Sequence, residues 1–287
     1  MKKMFFFLIL GLTLQVQAQR VVEKAIIKMN MQITFPENWG GGGPGGGGDD
    51  NGMRMMPRDI ETAMTVFYKG DQTKIETSSD FGKNYTFIDR KEKKTTTLME
   101  MMGRKQGFYS TDAEAEAMTK RMDSIRALRR DSLEKMGLRF NDGGPEILYT
   151  EESKKIAGIT CKKAIIKTKD RQGAVTETAV WYAPDFKMGA GFATSGGSQG
   201  GGMMRGGMSM NLPGMEKLNG FPMEYETTRQ NGMKTYMVVT KVDLDANIDD
   251  KTFEIPKGYD IKPMSEMGGQ GGGGFRMIMG SQRGGGN

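Results

Sequence analysis

Four methionines, Met203, Met204, Met208 and Met210, crowd the stretch GGMMRGGMSM, and thioethers are the ligands that Cu(I) and Ag(I) prefer. Arg205 stands in the middle of the cluster. A fixed positive charge at contact distance repels a bound cation by on the order of 1 kcal/mol even in water. The combination recurs at Met53, Met55 and Met56 around Arg54, and at Met264, Met267, Met277 and Met279 around Arg276. These segments therefore read as solvated, adaptable insertions that touch a partner or a membrane surface, with soft-metal buffering as the alternative.

Other chemistries are narrowed by what the chain lacks. It has 0 histidines, which removes the commonest general base, the commonest zinc ligand and any Ser-His or Cys-His pair. Cys161 has Lys162 and Lys163 beside it, and lysines can lower a thiol pKa. In an extended strand, however, Lys162 points to the opposite face, and a buried structural cysteine is the expectation. DLDANIDD at 243–250 sets Asp243, Asp245, Asn247 and Asp249 at alternate positions, but Ile248 replaces the glycine a calcium loop needs. GGGGPGGGG and GGQGGGG lack the preceding strand, following helix and Lys-Ser or Lys-Thr ending of a phosphate cradle. No nucleophile, base and oxyanion set can be assembled. The expectation is a protein that is not an enzyme and takes no cofactor.

The elements that must position these residues follow from patterning. Lys2 and Lys3, the apolar MFFFLILGLTLQV and the small residues Val16 and Ala18 read as a signal peptide over 1–18, with export to the periplasm and a mature start near Gln19. The formal charge of +6 loses two with Lys2 and Lys3, too little for a nucleic-acid footprint. Stretches 40–52, 189–214 and 268–287 hold 29 of the 42 glycines and cannot bury an apolar face. They are expected to be disordered: two loop insertions and a tail beginning near 265. What remains, over 19–264, is a single domain of alternating strands and turns. Ala25, Ile27, Met29, Met31, Ile33 and Phe35 share one face, as do Met64, Val66 and Tyr68. Gly70-Asp71 and Asn231-Gly232 mark hairpins. One helix is expected from a capping box at Thr111 and Glu114, with Met118, Met122, Ile125, Leu128 and Met136 at helical spacing. About nine or ten strands in one antiparallel sheet with a helix packed on it would make the fold α+β.

KKIAGITCKKA, AVWYAPDF, LNGFPMEYE and FEIPKGYDI, in that order, resemble an exported Bacteroidetes-type family of domains of unknown function. It neighbours the GLPGLI family, whose signature NLPGMEKLNGFP echoes. The resemblance covers roughly 145–262 and extends over 21–102. It implies a fold similar to the periplasmic lipoprotein carriers (LolA/LolB-like), in which a strongly curved antiparallel half-barrel wraps a long amphipathic helix around an apolar cavity. Such a fold implies binding or carrying of a hydrophobic ligand, a lipid or a lipidated protein. An envelope structural or interaction role is the remaining reading. Met29, Met31, Ile33, Met64, Val66, Trp181 and Tyr182 are then the expected groove lining.

Overall fold

The computed structural model describes residues 19–36, 59–101, 103–135, 144–169, 174–189, 214–229 and 232–267. The expected signal peptide, the greater part of both glycine-rich insertions and the tail beyond 267 lie outside these residues.

Alternation of apolar and polar side chains builds the strands, as the period of two requires. In β2 (Lys24–Thr34), Ala25, Ile27, Met29 and Met31 are buried while Lys24, Lys28 and Asn30 are exposed. A Gly70-Asp71 turn joins β3 (Asp59–Lys69) to β4 (Gln72–Ser79), and the meander continues through β5 (Gly82–Asp89), β6 (Lys94–Met101) and β7 (Arg104–Thr111). Helix α1 (Asp112–Lys135) then carries the chain across to β8 (Glu146–Ile156). A second meander runs from β8 through β9 (Ile159–Lys169), β10 (Val175–Ala183) and β12 (Phe221–Thr228) to β13 (Lys234–Asp243). The β8–β9 hairpin turns on Ala157 and Gly158, both at positive φ (48° and 81°), the geometry that suits the twist of paired strands.

The two meanders meet where β13 pairs with β2, in a 12-stranded sheet of order β14-β7-β6-β5-β4-β3-β2-β13-β12-β10-β9-β8. Short β14 (Asp260–Pro263) lies parallel to β7. It begins after Gly258, beyond a 3-10 turn over Asp250–Phe253 that the Asp249 side chain caps. Two three-residue strands, β1 (Arg20–Val22) and β11 (Phe186–Met188), pair separately. The second helix, α2, is Met264–Met267.

Two features of the expected α+β half-barrel are corrected. The molecule is mostly β, and its sheet is open: β14 and β8 end the strand order without pairing with each other. Nor does the sheet wrap an amphipathic helix. The capping box forms, with the Thr111 N–H donating to Glu114 Oε2 (2.9 Å). Yet Ile125 and Leu128 are 49% and 72% exposed. Their stripe is interrupted by charge at Arg121, Asp123 and Asp131, whereas the sheet offers strands of its own to fill its core. The edges are protected in the usual ways: β14 ends at a proline, and β8 carries Glu151, Glu152, Lys154, Lys155 and a register shift between Tyr149 and Ser153.

The core joins both meanders. Ile27, Met29, Val66, Ile166, Val180, Met223, Met237 and Val239 are each at most 1% exposed and form one cluster with Tyr182, Phe186 and Phe221. On β5 and β6 burial also reaches the other face, where Phe87 and Thr96 align in register with Phe67 and Lys74.

Candidate functional site

The expected groove-lining residues fall into two groups. Met29, Met31, Met64, Val66 and Tyr182 sit inside the core cluster, 1–5% exposed, and Ile33 packs partly buried against it. Trp181, the immediate neighbour of Tyr182, belongs to the opposite face by strand alternation. Lys154 Nζ lies 4.4 Å and Lys163 Nζ 5.8 Å from its ring centroid. Those lysines are themselves held, Lys154 by Glu224 (2.7 Å) and Lys163 by Glu152 (2.8 Å). Trp181 is thus the floor of a compensated charge cluster and, like Ile33, packs partly buried against the core. Met203, Met204, Met208 and Met210 lie outside the described residues.

Cys161 is 0% exposed. Burial pushes its thiol from the usual 9.0 up to about 11, with a backbone hydrogen bond from Ile156 and the charge of Lys154 only partly offsetting it. A nucleophilic cysteine needs the reverse shift. The unfolded chain ionises this thiol near its ordinary pKa and the folded chain does not. Stability is therefore complete below about pH 9 and falls as the pH rises toward 11, by on the order of 2–3 kcal/mol at the upper end. Tyr225, pushed from 10.0 up to about 12 by burial, extends the decline. Urea unfolding at pH 8 and pH 11 checks this: Cys161→Ala should lose measurably less stability over that interval than the wild type, and the native thiol should resist a thiol reagent at pH 8 until urea is added.

The acidic stretch 243–250 is dispersed by the fold. Asp245 pairs with Arg20 (2.5 Å), Asp249 Oδ1 accepts from the Lys251 N–H (2.9 Å), and Asp250 pairs with Lys69. Among the described residues no three acidic or cysteine side chains gather as a metal site. No described helix is long and apolar enough to cross a membrane.

A different site emerges at the seam of the two meanders, on the face opposite Met29 and Met64. There an open cavity of about 330 Å³ is lined by Ile26, Lys28, Thr65, Phe67, Glu76, Lys241 and Asp243. Strand register orders these residues in two rows. Lys241, Lys28, Thr65 and Glu76 stand side by side across β13, β2, β3 and β4. In the adjacent row stand Asp243, Ile26, Phe67 and Lys74. Lys74 is bound to Glu76 (2.8 Å) and its Nζ lies 5.7 Å, 5.7 Å and 5.5 Å from the rings of Phe67, Tyr85 and Phe87. That places Phe67 in a fixed aromatic wall.

A bulge makes this arrangement. The β13–β2 register shifts between Val239 and Lys241, and the Thr240 hydroxyl donates to the Lys28 carbonyl (3.2 Å). Without the shift Lys241 would turn into the core; with it, Lys241 faces outward opposite Lys28 and Val242 aligns with Ile27. Sequence reading missed this site, although one signal is visible: inward-facing Val239 and Val242 are three residues apart in a strand whose period is two. A second cavity, about 530 Å³ and shallower, lies against Val175, Thr176, Glu177, Ala179, Glu226, Thr228 and Arg229, and it has no aromatic wall.

Comparison with known proteins adds little beyond the second meander. Nothing among curated proteins matches the chain. Two solved structures of PNGF-II, in C2 and P21 crystal forms, share 15% and 14% identity with TM-scores of 0.35 and 0.34. Each match covers 85% of this chain, which spans 32% of the length of those proteins. Residues 145–259, the stretch from β8 through β13 that brings Lys241 and Asp243 to the seam, match the family model of a domain of unknown function (DUF4412).

Proposed function

We propose that this is a non-catalytic binding protein of the periplasm whose ligand is hydrophobic, held in the seam cavity. The observation that carries the reading is an apolar floor, Ile26 and Phe67, set into an outward sheet face that is otherwise mainly polar. A cavity of about 330 Å³ is at the small end of ligand pockets and suits one short apolar chain or ring system. The lack of histidine and the burial of Cys161 support binding without turnover.

A neutral apolar dye, N-phenyl-1-naphthylamine, tests this directly. Wild-type protein is expected to enhance its fluorescence saturably, and Phe67→Ala to weaken binding about tenfold, as loss of most of one buried aromatic contact implies. Circular dichroism verifies that the variant is folded. No enhancement with wild type, or equal affinity in a folded Phe67→Ala, would remove the reading.

A further inference from the structure

We infer that the ligand of the seam cavity is an anionic amphiphile, its head group held by Lys28 and Lys241 and its apolar part lying over Ile26 and Phe67. The inference rests on the cavity being the binding site and adds the chemistry of what enters it.

Lys28 and Lys241 are directly opposed across β2 and β13, a like-charge pairing that works against the sheet unless something negative lies between them. The bulge at Thr240 creates this pairing and anchors it with a hydrogen bond to the Lys28 backbone. Two acids share the lining. Glu76 is already committed to Lys74 at 2.8 Å. Asp243 stands in the neighbouring row, opposite Ile26, and offsets at most one of the two lysines. Among the described residues no salt bridge engages either Lys28 or Lys241. Both side chains are exposed, so they are hydrated and free to reorient toward an incoming anion.

Register also supplies the geometry of an amphiphile. Lys241, Lys28 and the hydroxyl-bearing Thr65 form a row of donors, and Ile26 with Phe67 forms the next row on the same face. Residues two apart on a strand lie roughly 7 Å from each other. A head group on the donor row therefore leaves the adjoining apolar segment directly over the hydrophobic row. Carboxylate and phosphate heads share this chemistry.

The experiment measures displacement of N-phenyl-1-naphthylamine by four probes that share a ten-carbon chain: decanoate, decyl phosphate, 1-decanol and decyltrimethylammonium. Decanoate or decyl phosphate is expected to bind at least tenfold tighter than 1-decanol, and whichever is tighter identifies the head group. The ammonium probe should be the weakest. Added salt should narrow the difference, since the lysines are exposed. In the K28Q/K241Q variant the anions should lose their advantage while 1-decanol is unchanged, and thermal stability should hold or rise as the repulsion is removed. If the dye binds but wild type treats decanoate, decyl phosphate and 1-decanol alike, the anion assignment is wrong and the cavity reading stands. Anion preference persisting in K28Q/K241Q overturns the assignment to these two lysines. Failure of the dye and of every probe overturns the cavity itself.

Discussion

Met237→Ala is expected to destabilise the folded protein by about 2–5 kcal/mol, the range for truncating a fully buried methionine. Met237 is 0% exposed and stands in register between Tyr225 on β12 and Met31 on β2. It therefore fills the layer where the second meander closes onto the first, and its loss opens a void at the joint. Met29, Met31 and Met223 surround the same core and are unbranched, so part of the void can be refilled. That argues for the lower half of the range. Even so, a domain with about 5–15 kcal/mol in total would lose a large share. Urea unfolding followed by circular dichroism gives the number, with Val238→Ala as the comparison. Val238 is only partly buried and should cost less than half as much. Equal losses at 237 and 238 would mean that the seam is not packed as described.

Gly220→Ala is the second large effect, with an expected loss of about 2–4 kcal/mol from overpacking and the strain it forces. A Cβ at this position would sit 2.1 Å from the Ala183 carbonyl oxygen and 2.7 Å from Tyr182 Cδ2. The first contact is with backbone, so relief requires β10 and β12 to separate where Ala183 pairs with Phe221. Phe221 stacks on Phe186 with ring centroids 5.5 Å apart, and displacement would loosen that contact as well. Gly158→Ala separates crowding from conformational preference. Gly158 has φ +81°, and a Cβ there would meet nothing within 4 Å. Its cost should be about 1–2 kcal/mol, from backbone alone. Thermal melts of the two variants should rank Gly220→Ala well below Gly158→Ala. The reverse order would refute the packing account.

Legibility of the fold varied with the range of the interactions. The alternation of Ala25, Ile27, Met29 and Met31 and the Gly70-Asp71 turn could be read directly, because strand faces and tight turns depend on residues one to four apart. The helix shows where that reading stops. Its Thr111 and Glu114 cap is a local arrangement and formed, whereas burial of Ile125 and Leu128 required a partner surface that the sheet does not provide. Trp181 marks the same boundary: alternation sets it on the face opposite Tyr182, but only the pairing of β8, β9 and β10 brings Lys154 and Lys163 to its ring. The proposed site was out of reach for a further reason. Lys28 and Lys241 are far apart in the chain, and only pairing of the two meanders makes them neighbours.

By itself, then, the sequence determined the strand faces, the hairpin turns, the helix cap and the absence of histidine chemistry, since each depends on residue type or on spacing within a few positions. Tertiary structure alone decided that the sheet is open, that β2 and β13 join the two meanders, and that Lys241 stands opposite Lys28 above Ile26 and Phe67. The physical reason is register. Pairing between distant strands is chosen by the packing of the whole core, and a one-residue bulge at Thr240 sends Lys241 outward to solvent instead of into that core.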